Sequence, residues 1–229
     1  MTGEDLRQAR LNKGWTQQET AAKLGVTQAY LSMLENERRF LSDRLLRRVL
    51  KTFVLVPTAL PLPSELSQSM LLTGDELARN LGSLGYPGFS YFRCRPKRNP
   101  AEVVFAAISS RDLDSRLAES LPWVALRYAD MDWNWLVRNA KLADCQNRLG
   151  FVVTLARQLA QRARRDEKVA VLSQVEAALE RCRLAREDTF AHESLTAAER
   201  QWLTQNRPPE AAHWNLLTDL TGEHLAYAA

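Results

Sequence analysis

The chain has 229 residues, 45% hydrophobic and 25% charged, which is enough to bury one large core or a small domain beside a medium one. The polar N-terminus MTGEDLRQAR and the lack of any run of about eighteen apolar residues argue against a membrane span or a leader, and Cys94, Cys145 and Cys182 are too widely spaced for a disulfide framework, so a soluble cytoplasmic protein is expected. The net charge of +4 is confined to residues 1–60, where ten Lys/Arg face six Asp/Glu; the remaining chain has 21 of each (31 less 10, 27 less 6), the pattern of a polyanion-binding head on a neutral body.

Residues 4–13 read as a first helix, with Leu6, Ala9 and Arg10 inward and Lys13-Gly14 ending it; Trp15 then enters a small core. Thr16 to Glu35, TQQETAAKLGVTQAYLSMLE, reads as two short helices around a tight turn. Thr16 and Glu19 form a capping-box pattern, Ala21, Ala22 and Leu24 carry the apolar side, and Gly25 ends the helix. Thr27 caps the second helix, on which helical spacing turns Val26, Leu31 and Leu34 inward and Gln28, Ala29, Ser32 and Met33 outward. NERRF places Arg38 and Arg39 on a loop. Ser42 caps a fourth helix with Leu45, Leu46, Val49, Leu50 and Phe53 on one face; Arg44, Arg47, Arg48 and Lys51 on the other read as a solvated face. VPTALPLPSE, with three prolines, predicts a linker at about 56–65 between a domain 1–60 and a domain 66–229.

At Thr16, Gln17, Leu24, Gly25, Val26, Leu31 and Glu35 the stretch resembles the lambda-repressor-like (Cro/XRE-type) helix-turn-helix, over the first quarter of the chain. The resemblance implies duplex DNA read in the major groove by helix 28–35. It also implies phosphate contacts at Gln17 and Asn36 and a structural ion pair between Arg10 and Glu35 beneath the DNA-facing surface. Glu37 stands where the family usually has glycine, so the exit from the recognition helix is expected to take a different shape. Gln28 can donate and accept at once, which suits the N7/N6 edge of adenine; Ala29 can lie against a thymine methyl, Met33 extends that apolar contact, and Ser32 shares the face. Arg38 and Arg39 join the phosphate set on charge, together with Thr27 and Tyr30.

The rest reads as helix after helix. Thr73 caps GDELARNLGSL, and GYPGFSYF makes an irregular loop or at most one short extended piece. Asn99-Pro100 opens AEVVFAAISS, and a segment from Arg111 to Leu121 is expected to stop at Pro122. Asp132 opens a stretch to about Arg165 long enough for one long or two shorter helices, and a second long helix is expected from about Lys168 to Ala191. Thr196 caps AAERQWLTQN, Pro208-Pro209 breaks it, and EAAHWNLLTDL plus GEHLAYAA complete an all-α fold. The echo of Thr-Gly-acid at 73–75 and 221–223 reflects cap preference and sets no repeat.

The aromatic group Trp123, Tyr128, Trp133 and Trp135 can line a ligand pocket or anchor a partner, although core packing suits rings of that area better. His192, His213 and His224 are scattered without a metal-ligand spacing, and no nucleophile elbow, phosphate-binding glycine loop or Ser/Lys arrangement occurs. No catalytic residue, cofactor or metal is therefore expected. Two functions stay open: a transcription regulator, most simply a repressor, and an antitoxin that represses its own operon. In the first, the segments 132–165 and 168–191 join a homodimer on a two-fold operator, and the body can hold a small-molecule effector. In the second, the same body holds a toxin protein.

Overall fold

Capping chemistry sets most of the helix starts. The computed structural model describes residues 2–53, 56–63, 72–92, 98–192, 194–223, 225 and 227, which divide into two compact units, Met1–Pro61 and Leu62–Ala229.

The first unit holds α1 (Gly3–Asn12), α2 (Gln17–Leu24), α3 (Gln28–Glu35) and α4 (Asp43–Phe53). Thr2 with Asp5 and Thr16 with Glu19 make reciprocal capping boxes, and the Thr27 hydroxyl accepts from the Tyr30 N–H. Leu6, Leu24, Leu31, Leu34, Val49 and Phe53 form the core, and the Trp15 ring packs 5.3 Å from Phe53 with the Lys23 ammonium 4.7 Å from its centroid. Two positions differ from the sequence expectation. Ala22 is exposed, and Thr20 goes inside in its place because the α2 face that meets α3 and α4 is centred on Thr20, Ala21 and Leu24. Arg48 leaves the solvated face: its guanidinium donates to the Leu24 carbonyl, an acceptor the end of α2 leaves open.

The Thr20 hydroxyl is buried with no hydrogen-bond partner. Such a group gives up its hydration without recompense, and valine has the same shape with a methyl in its place. Thr20→Val is therefore expected to stabilise the first unit by about 1 kcal/mol. The check is amide exchange in α2 of the full chain; faster exchange than in the parent would contradict it.

Pro57–Ala59 of the linker segment forms a single 3-10 turn and Leu60 is buried. In the second unit the Trp135 indole donates to the Pro63 carbonyl at 2.9 Å. The second unit follows with α5 (Gly74–Ser83), α6 (Pro100–Ile108), α7 (Ser115–Arg127), α8 (Trp133–Leu142), α9 (Gln146–Arg162), α10 (Asp166–Glu180), α11 (Ala197–Asn206) and α12 (Pro209–His213). All nine residues of α6 are buried, with α5, α7 and α8 around it; α9 is a second inner helix, packed on α7, α8, α10 and α12. The fold is all-α: among the described residues the only strands are Asp188–Thr189 and Leu216–Leu217, a two-residue parallel pair. No described helix is long and apolar enough to cross a membrane.

Three segments of this unit differ from the sequence expectation, and the stretch after Asp132 takes the second of the two forms expected for it. Helix α7 runs through Pro122, because Leu117, Ala118 and Leu121 before it and Val124, Ala125 and Leu126 after it are all buried, and that burial outweighs a break worth about 3 kcal/mol. The stretch after Asp132 is two helices, parted at Asp144, which sits at φ 54°. Helix α10 ends at Glu180, well before Ala191, because the Asn147 side-chain amide binds both the N–H and the C=O of Leu184 and holds the chain out of helical geometry. Arg148 then clamps Asp188 with two parallel bonds of 2.8 and 2.9 Å. Helix α12 stops at His213, with Asn215 at φ 53°, and NLLTDL supplies the second strand instead of a helix.

The loop at GYPGFSYF is irregular, with one 3-10 turn at Pro87–Phe89 and Tyr86 edge-on to Trp123. The four aromatics of residues 123–135 serve the core separately. The Tyr128 hydroxyl donates to the Leu84 carbonyl, the Trp133 indole to the Ala129 carbonyl, and Trp135 packs edge-on to Phe105. Cys145 is buried, which pushes its thiol up to about 11, and Cys182 is half-buried. Residues 64–71, Cys94 and half of the GEHLAYAA segment, His224 included, lie outside the described residues.

Candidate nucleic-acid interface

The turn between α2 and α3 owes its shape to Gly25, whose φ of 61° lets the Gly25 and Val26 N–H groups bond back to the Ala22 and Ala21 carbonyls. With Val26, Leu31 and Leu34 turned inward, α3 presents the opposite face. Gln28 and Ala29 are exposed on it, and Ser32 and Met33 are half-buried.

The exit from α3 has the same closing pattern. The Glu37 N–H bonds to the Leu34 carbonyl and the Arg38 N–H to the Met33 carbonyl, with Glu37 at φ 57°. Glutamate thus takes the left-handed conformation that glycine adopts most readily, and its carboxylate accepts from the Gly3 N–H at 3.2 Å. Gly3 itself is required by close approach: a Cβ there would lie 2.3 Å from the Leu34 carbonyl oxygen.

Beneath this face Arg10 makes a two-pronged ion pair with Glu35, Nε at 2.7 Å and Nη2 at 3.0 Å, and donates its other Nη to the Trp15 carbonyl. Both side chains are buried, Glu35 to 2% exposure. Burial pushes the Glu35 carboxyl up, but hydrogen bonds from Arg10 and Gln17 and the Arg10 charge outweigh it and hold the group below its ordinary 4.5.

Gln17 extends that pair to the surface. Its Nε2 donates to Glu35 Oε2 at 2.9 Å, and its Oε1 accepts from Gln28 Nε2 at 2.7 Å. Because a carboxylate only accepts, the Gln17 amide must face Glu35 with its nitrogen, which leaves its oxygen toward Gln28. Gln28 is thereby oriented as well, with its Oε1 and its second N–H left for an outside partner. This four-residue chain joins α1, α2 and α3, and no local sequence pattern announces the Gln17 to Gln28 link, because the two are eleven residues apart on different helices.

The other candidate residues are placed as follows. Thr27 is exposed and caps α3, Tyr30 is half-buried against the core of the unit, and the Asn36 amide donates to the Ser32 carbonyl at 2.8 Å. Arg38 and Arg39 are exposed, and among the described residues neither has an ion-pair or hydrogen-bond partner for its side chain. Arg44 and Lys51 are exposed on α4. The geometry therefore offers one oriented amide on an outward helix, a small apolar patch beside it, and two unengaged guanidinium groups at the end of that helix.

Residues 6–53 match the family model described as helix-turn-helix, of the Cro/XRE type, and no family match covers the rest of the chain. No curated protein and no solved structure matches the chain. The family match supports a DNA-binding helix-turn-helix regulator.

Proposed function

We propose that the protein is a cytoplasmic, sequence-specific transcription repressor that reads the major groove of a duplex operator with α3. The observation that carries the reading is Gln28: an exposed amide on the outward face, oriented from below by Gln17, Glu35 and Arg10. An oriented amide at the start of α3 matches the paired donor and acceptor of adenine, and Ala29 and Met33 beside it suit a thymine methyl. Ser32 completes the base-reading set. Arg38 and Arg39 hold backbone phosphates, with Gln17, Thr27, Tyr30 and Asn36 around the rim of the site.

Gln28→Ala is expected to cost about 1–3 kcal/mol of operator affinity and to relax preference at one base pair, whereas Arg39→Ala weakens all sequences alike and lowers the salt slope by about one. Competition titrations across operator variants read both effects. An unchanged ranking of operators by Gln28→Ala overturns the assignment.

One head presents few base contacts, so the active form is a homodimer that sets two copies of α3 about 34 Å apart on one face of the duplex. Of the segments expected to supply the contact, α9 lies inside its unit, with twelve of its residues buried. The contact falls instead to the open faces of α10, at Ala170, Ser173 and Ala177, and of α11, where Trp202 is 54% exposed. Sedimentation of the full chain is expected to give a dimer that Trp202→Glu with Ala177→Glu separates. A monomer that still saturates a two-fold operator contradicts this, and a second protein co-purifying at fixed stoichiometry moves the reading to an antitoxin.

A further inference from the structure

Helices α8 and α10 both pack on α9, and between them opens a groove of about 540 Å³, within the size range of small-ligand pockets. Its lining is apolar: Trp133, Val137 and Val175 toward the core, and Leu142, Val171 and Ala178 nearer solvent. Leu142 is 72% exposed and Val171 37%, so apolar surface is left facing water.

The polar groups of the lining have one sign. Arg138 and Lys141 stand three apart on the same face of α8, the amides of Asn134 and Gln174 accompany them, and the lining contains no aspartate or glutamate. Among the described residues neither cation has an ion-pair partner. Two like charges beside an apolar groove repel each other and are relieved by an anion whose remainder covers the apolar lining. A second copy of the chain suits this groove poorly, because a two-fold contact through it brings together two copies of one patch whose only charges are positive.

We propose that this groove is a binding site for a small amphipathic carboxylate, with an alkyl or aryl body lying along Trp133, Val137, Leu142 and Val171 and the carboxylate held by Arg138 and Lys141. On the repressor reading above, such a ligand is the effector; the binding itself does not depend on that reading.

The test uses the full chain without DNA, so its outcome is separate from that of operator binding. Isothermal titration with decanoate is expected to show one saturable site, and decan-1-ol to bind the same site more weakly because it lacks the charge. Arg138→Glu with Lys141→Glu, two exposed changes, is expected to weaken decanoate about tenfold and leave decan-1-ol unchanged. Val171→Asp should abolish both. Circular dichroism confirms that each variant is folded. The proposal is overturned if decanoate shows no saturable binding, if the charge-reversed protein binds it as tightly as the parent, or if the groove is covered by a second copy, seen as a dimer that Val171→Asp dissociates.

Discussion

Replacing Glu35 by alanine is expected to destabilise the first unit by about 3–5 kcal/mol, a large share of what a unit of this size has. The loss is more than that of one ion pair. Arg10 stays behind with 11% of its side chain exposed, now without its partner, and the Gln17 amide loses the acceptor that sets its direction. Glu35→Gln keeps the volume and is expected to cost less, and Arg10→Met with Glu35→Leu should recover most of the loss because no buried charge is left. Hydrogen exchange of the α1 to α4 amides in the full chain reads all three variants. A loss below about 1 kcal/mol for Glu35→Ala would contradict the account.

The same pair gives the head an acid limit. Glu35 has a folded pKa below its unfolded value, so its contribution is complete above the ordinary glutamate range and is lost as pH falls through the lowered folded value. The protection of the α3 amides in the parent, that is their exchange relative to unstructured chain at the same pH, should fall through that acid window, and Glu35→Gln should lack the dependence. Operator binding follows on two counts, since both the fold of the head and the direction of the Gln28 amide run through this carboxylate.

Gly150→Ala is the second large effect, expected at about 3 kcal/mol or more in the second unit. A Cβ on Gly150 would lie 2.4–2.5 Å from three carbons of the Trp214 ring, which is fully buried. The ring cannot step aside cheaply. Its indole N–H donates to the Thr154 hydroxyl at 2.8 Å, that hydroxyl donates to Glu176, and Arg157 holds the same carboxylate, so moving Trp214 breaks a chain reaching α10. Trp214 also precedes the strand Leu216–Leu217, and its displacement disturbs the pairing with Asp188–Thr189. The alanine should become nearly neutral when Trp214 is already leucine, although Trp214→Leu is itself costly. Thermal unfolding of the four proteins closes this cycle; equal costs of Gly150→Ala in both backgrounds would refute the contact as the cause.

What the sequence by itself determined is local. Thr2, Thr16, Thr73, Asn99, Asp132 and Thr196 each cap a helix through atoms two or three residues away, so the residue types in one short window name the helix start. Gly25 and the spacing of Val26, Leu31 and Leu34 define the turn and the inward face in the same way, which is why the helix-turn-helix of residues 6–53 is legible without a structure. The tertiary structure decided the features whose partners are distant in the chain. Asn147 ends the extension of α10 from 37 residues away, burial on both sides carries α7 through Pro122, and Arg48 is drawn to the Leu24 carbonyl from 24 residues away. The orientation of Gln28 belongs to the same class, since the carboxylate that sets it through Gln17 is paired with Arg10 on another helix. A cap is chosen by the backbone groups beside it, but a buried polar or apolar side chain is chosen by whichever distant surface removes it from water, and no local pattern records which surface that is.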